Sequence, residues 1–361
     1  MTFAQSPSNH LPINYDLECD EEFCPDDFES PFRLHITLPR TLKPAAAGKR
    51  LTFHSRERST GTGVVTSNDK TTDLETIHDG PLDPHFFQKG FYLEAKTGFQ
   101  VWPGSRLLLQ ALLCELDDAP SEGSAFTRLK YWQDRLLRSS TPLNILELGG
   151  GIGAVGGSLA AAGANVLMTD LNVLVNHGMG PNLIRLQSSS GDCAAFFPFL
   201  TSMLPAKQSE DNIVQEPIVI GCGCARPTVL DWFKPVSEQL SHDACNNVDL
   251  IVACDCIFLR KIVDPMFNAV AEIFRNAKRS EEVTCLFTYQ RRNLMGVFIT
   301  LEEVLDKIAK RGWSVQCLAW RKVVVEDDGE HDLYLFEISS KGQQEALRND
   351  VESNCEEKKE S

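Results

Sequence analysis

The chain has 361 residues, of which 42% are hydrophobic and 24% charged, and a net charge of −15; it is long enough to bury one large core or two modest ones. The acidic balance argues against nucleic acid as the main partner, because neutralising phosphates needs clustered Lys and Arg, and it leaves a basic protein partner open. No basic segment followed by an apolar run opens the sequence, and no stretch of about 18 apolar residues occurs, so neither a signal peptide nor a membrane span is expected, and the expected compartment is the cytoplasm or nucleus.

Residues 1–30 carry Asp16, Glu18, Asp20, Glu21, Glu22, Asp26, Asp27 and Glu29 with no Lys or Arg, which predicts a disordered acidic arm. Between residues 31 and 90, short β-rich pieces (RLHITL, RLTFHSR, GTGVVTS) alternate with Pro, Gly and Ser, as in a small antiparallel sheet placed before the main domain. From residue 91 to about 340 the pattern changes to alternating strands and helices. A helix is predicted from Pro103, with Leu107, Leu108, Ala111 and Leu112 on one face. Trp102 precedes it, either as core packing or as an aromatic cap on a ligand.

The stretch Asn144 to Asp170, NILELGGGIGAVGGSLAAAGANVLMTD, organises the rest. It reads as a strand to Leu148, a glycine turn over Gly149 to Gly153, a small-residue helix and a second strand ending at Asp170. Gly149, Gly151 and Gly153 allow positive φ and let a ligand approach the backbone. Gly151, Gly153 and Gly156 also fit the GxGxxG spacing of dinucleotide-binding proteins, with Asp170 near its ribose-binding carboxylate. Glu147 favours a different ligand. A carboxylate there would repel a pyrophosphate but attract the ammonium of S-adenosylmethionine, while Asp170 could accept ribose hydroxyls in either case.

Beyond Asp170, residues 172–187 look helical but interrupted by Gly178, Gly180 and Pro181, and residues 188–216 read as an insertion loop. Pro217 to Cys222 is predicted to be the third strand, and Val248 to Phe258, VDLIVACDCIF, reads as a buried parallel strand ending at Asp255. A helix over 261–278 and a strand over 283–289 follow. Thr300 and Glu303 form a capping box for a helix that Gly312 ends. Two consecutive strands, Ser314 to Trp320 and Leu333 to Ile338, imply an antiparallel strand inserted into a parallel sheet, and residues 341–361 are predicted to be a disordered tail. Of the 12 cysteines, Cys222 and Cys224, and Cys254 and Cys256, have CxC spacing. Structural zinc spacings are missing, so no metal is expected.

Four segments in order, GFQVWPGSRLLLQALL, ILELGGGIGAVG with its TDL, VLDW and VDLIVACDCIF, resemble methyltransferase family 16, the seven-strand protein lysine methyltransferases that include the methyltransferase-like 21 group. The resemblance implies an α/β fold with a Rossmann-like seven-strand methyltransferase sheet and an antiparallel terminal strand, here with the small β-rich N-terminal extension. It also implies S-adenosylmethionine as cofactor, held by Trp102, Gly149, Gly150, Gly151, Asp170, Trp232 and Cys254. Members act on chaperones, translation elongation factors and calmodulin, so a protein substrate is the expected partner. The family's DxxY signature stands here as Asp255-Cys256-Ile257-Phe258. On this basis Asp255 is expected to orient an incoming lysine amine, with capping of loop amides as its alternative role. Phe258, Trp232 and Tyr289 would form an apolar and aromatic channel that disfavours the charged amine.

Overall fold

The computed structural model describes residues 17–27, 30–56, 97–116, 124–188, 198–201, 216–278, 282–291, 296–325 and 329–340. An eight-stranded sheet runs through the molecule. Its middle is parallel: β4 (Asn144–Leu148) lies between β5 (Asn165–Asp170) and β8 (Leu250–Ala253), with β7 (Gly223–Val229) beyond β5 and β9 (Thr284–Gln290) beyond β8. On the β9 side, β11 (Gly329–Ser339) inserts antiparallel between β9 and β10 (Ser314–Val325). The Rossmann-like sheet with its inserted antiparallel strand is therefore present. The edge at β7 differs from expectation. A two-residue turn at Gly221 and Cys222 reverses the chain, so 217–222 supplies only a short antiparallel edge strand, β6 (Ile218–Ile220), and the third parallel strand is β7.

Side-chain alternation along each strand divides the core between the two faces of the sheet. Ile145, Val166, Leu250, Val252 and Leu286 point to one face, which is covered by helices α1 (Pro103–Leu113), α2 (Ser124–Leu137) and α3 (Ala154–Ala162). Leu146, Leu148, Leu167, Ile251 and Phe287 point to the other, which includes residues of α8 (Arg260–Asn276) and α9 (Leu301–Lys310). Between these helices in sequence lie α4 (Asn172–Leu174), joined by a π turn over Val175–Met179 to α5 (Gly180–Leu186), then α6 (Pro198–Thr201) and α7 (His242–Asn246). The glycines expected to interrupt 172–187 coincide with that wider turn. The predicted capping box is formed: the Thr300 hydroxyl accepts from the Glu303 amide, and the Glu303 carboxylate accepts from the Thr300 amide.

A second, three-stranded antiparallel sheet, β1 (Glu18–Phe23), β2 (Phe32–Thr37) and β3 (Arg50–Ser55), packs on the α1 side. Phe53 is fully buried against Gly157 of α3, and the Asn182 side chain bonds both the amide and the carbonyl of His54. Part of the predicted acidic arm is thus ordered as β1. Leu17 is buried and Cys19 packs on the core, while His35 on the neighbouring β2 and Arg50 on β3 beyond it pair with Glu22 and Asp20. Residues 1–16, the GTGVVTS piece, most of the 188–216 insertion and the 341–361 tail lie outside the described residues. Among the described residues no helix is long and apolar enough to cross a membrane, and no group of three or more His, Cys, Asp or Glu is placed to hold a metal ion.

Candidate active site

The carboxyl ends of β4, β5 and β8 open into a cleft of about 380 Å³, within the range of small-molecule sites. Glu147 lies one residue before the end of β4 and points to the α3 side, where it is 2% exposed. Its Oε2 is buried without a hydrogen-bond partner. Burial, with the Asp170 charge adding to it, pushes the Glu147 carboxyl up to about 8, and the Gly156 amide at the open first turn of α3 offsets this in part. A carboxylate buried in this way favours either a proton or a cationic ligand.

Asp170 ends β5. One of its carboxylate oxygens accepts from the Gly151 amide at 2.8 Å and the other from the Leu171 amide at 2.7 Å. These bonds fix the carboxylate against the glycine turn, and each oxygen keeps a lone pair for a further donor. Burial raises its pKa to about 6 despite the two amides. Gly151 has φ +56°, and a Cβ there would lie 2.7 Å from the Gly98 carbonyl oxygen, so the segment entering α1 sits directly on the turn. That segment supplies Gly98, Gln100, Val101 and Trp102 to the cleft wall. The Trp102 indole N–H donates to the Thr97 carbonyl at 3.1 Å.

On the opposite wall Trp232 stands over Gly149, its ring 3.3 Å from where a Cβ would be. Its indole nitrogen is buried with no hydrogen-bond partner. Cys254, Asp255, Cys256 and Phe258 follow β8 into the cleft, and Phe258 packs with Trp232 and Ile262. Cys256 was missed by sequence reasoning: its thiol donates to the Leu148 carbonyl at 3.2 Å and braces the end of β4 beneath Gly149. Gly98, Leu174 and Met179, which line or brace the turn, were missed as well. The interrupted helix after Asp170 was the available signal for the last two.

Two expectations, the end of the β8 strand and the place of Tyr289, need correction. The strand predicted to end at Asp255 stops at Ala253, and Asp255 adopts φ 56°. The Asp255 carboxylate lines the cleft and receives the Gly104 amide at 3.1 Å and the Ser105 amide at 2.9 Å, the capping role read from sequence as its alternative. Tyr289 is 1% exposed and outside the cleft, with its hydroxyl donating to the Ile299 carbonyl at 3.0 Å. On β9 it alternates with Thr288, and Thr288, not Tyr289, faces Asp255. Trp102, Glu147, Gly149, Gly150, Gly151, Asp170, Trp232, Cys254, Asp255 and Phe258 all line the one cleft.

Two buried polar atoms of the cleft without partners, one on each wall, suit S-adenosylmethionine, the cofactor expected from sequence. Glu147 Oε2 can take its ammonium and the Trp232 N–H needs an acceptor. A family model described as lysine methyltransferase matches residues 92–188 and 213–304 of the chain. No curated protein sequence matches at a significant level. Among solved structures, a magnesium protoporphyrin IX methyltransferase from Synechocystis PCC 6803 with bound SAH is 11% identical, with a TM-score of 0.34 and coverage of 55% of this chain and 75% of that one. A precorrin-6y C5,15-methyltransferase from Geobacter metallireducens GS-15 is also 11% identical, with a TM-score of 0.34 and coverage of 62% and 96%. A SAM-dependent methyltransferase from Methanosarcina mazei is 10% identical, with a TM-score of 0.35 and coverage of 56% and 94%.

Proposed function

We propose that this chain, which belongs to the lysine methyltransferase family, transfers the methyl group of S-adenosylmethionine to a lysine side chain of a protein. The observation that carries this reading is the buried Glu147 carboxylate beside Asp170 at the glycine turn, whose Oε2 has no hydrogen-bond partner. It provides a negative site for the cofactor's amino-acid end and hydroxyl acceptors for its ribose in one cleft. Trp102 would close the cleft from the α1 side, and Trp232 and Cys254 would flank the adenine.

Bound there, the cofactor supplies an activated methyl group on a sulfonium. The chain's own work is alignment and control of protonation. A lysine with an ordinary pKa near 10.4 is held neutral at pH near 7.4 at a cost of about 4 kcal/mol. Phe258, Ile262, Trp232 and the 64%-exposed Phe233 give the cleft an apolar and aromatic stretch beside Asp231 and Lys261, which lowers that cost by disfavouring the ammonium form. Engagement of the Asp255 carboxylate by helix amides works in the same direction, since a carboxylate turned to the acceptor would hold it protonated. No general base is assigned; the amine's proton goes to water.

The test is incubation of the full chain with a cell lysate and methyl-labelled S-adenosylmethionine, with Asp170→Ala as control. Label on lysine of a discrete protein, lost in the variant, is the expected result. Label confined to arginine or to small molecules would overturn the acceptor assignment, and no Asp170-dependent label would overturn the activity.

A further inference from the structure

We propose that Asp255 is a positioning residue: its carboxylate caps helix α1 and so holds Trp102 in the wall of the cofactor cleft. This inference rests on the cofactor reading above. The first amides of a helix have no partner within it, and Trp102, the N-cap of α1, offers no side-chain acceptor to them. Asp255, 150 residues later in the chain, provides two. Oδ1 accepts from the Gly104 amide at 3.1 Å, and Oδ2 accepts from the Ser105 amide at 2.9 Å and the Ser105 hydroxyl at 3.3 Å. The negative charge also sits at the positive end of the helix dipole.

The backbone is shaped for this role. Among the described residues Asp255 is the only non-glycine with positive φ, at 56°, a conformation that persists where surrounding contacts enforce it. Its amide donates to Thr288 Oγ1 at 2.9 Å, which ties the turn to β9. Gly104 seats against the same two groups: a Cβ there would lie 2.2 Å from Thr288 Oγ1 and 2.4 Å from Asp255 Oδ1. The end of β8, the end of β9 and the start of α1 therefore meet in one joint with no room for a side chain. Trp102 precedes this joint directly and, through its bond to the Thr97 carbonyl, carries the wall segment that covers Gly151. With both carboxylate oxygens engaged by the start of α1, Asp255 serves the cofactor side of the cleft by fixing its wall.

The test combines calorimetric titration of the full-length protein with S-adenosylmethionine and amide hydrogen exchange. Asp255→Ala and Gly104→Ala should each weaken binding about tenfold, the scale of a lost helix cap. Both should speed exchange of the Gly104 and Ser105 amides while leaving α8 unchanged. Asp255→Asn, which keeps one acceptor oxygen, should recover part of the affinity. Gly104→Ala preserves the Asp255 carboxylate and decides the matter alone if Asp255→Ala does not fold. Unchanged exchange at Gly104 and Ser105, or unchanged affinity in a folded variant, overturns the proposal. Absence of binding by the parent would instead sink the cofactor reading, and the exchange arm would still report on the cap.

Discussion

Glu147 and Asp170 stand at the carboxyl ends of adjacent parallel strands, both buried, and among the described residues neither has a cation beside it. Two carboxyls taken out of water without a counter-charge cost stability, and the cost is recovered when a cation arrives. The pair is a site prepared for a positively charged ligand at the expense of the ligand-free fold.

Replacing Glu147 by Gln keeps the shape and removes the charge. It should weaken S-adenosylmethionine by about 2 kcal/mol, roughly thirtyfold. Methylthioadenosine, which lacks the amino-acid end, should bind parent and variant alike. Equal losses for both ligands would mean that Glu147 does not face the ammonium.

The same pair sets a pH dependence. The folded-state values are raised, to about 8 for Glu147 and about 6 for Asp170, so their contribution to stability is fully present below the unfolded values near 4. It is lost as pH rises through 6 and then 8. The ligand-free parent should therefore lose stability relative to Glu147→Gln between pH 6 and 8, by up to about 1.4 kcal/mol per pH unit. Thermal melts of the two proteins across that range measure it, and parallel curves would contradict it.

Gly151 meets two constraints at once, a left-handed backbone and the Gly98 carbonyl. Gly151→Ala should displace the Thr97 to Trp102 segment, destabilise the fold by about 1–3 kcal/mol and abolish measurable cofactor binding. Retained binding would show that the wall segment can shift without consequence.

The Thr300 capping box lies apart from the cleft, since neither Thr300 nor Glu303 lines it. Thr300→Ala should cost about 1 kcal/mol of stability, read from denaturant unfolding, and leave cofactor affinity unchanged.

Much of this was legible in the sequence, for identifiable reasons. The glycine turn, Glu147 and Asp170 are consecutive in a βαβ unit, so local pattern alone brings them together. The capping box is local in the same way. Asp255 and Tyr289 were harder. A run as apolar as VDLIVACDCIF gives no sign of where a strand breaks, and the break at Cys254 turns Asp255 toward a helix that begins at residue 103. Tyr289 depends on which strand face meets which helices, and an apolar strand buried on both sides hides its parity. The β6–β7 hairpin was missed because PIVIGC and the residues after it read equally well as one strand, and only pairing with β5 selects Gly223–Val229.

The most direct test is calorimetric titration of the ligand-free protein with S-adenosylmethionine, with NAD as comparison and Asp170→Ala as control. Saturable binding of S-adenosylmethionine, none of NAD, and loss of binding in the variant are the predicted results. A folded parent that binds NAD instead, or binds neither, would contradict the assignment of this cleft.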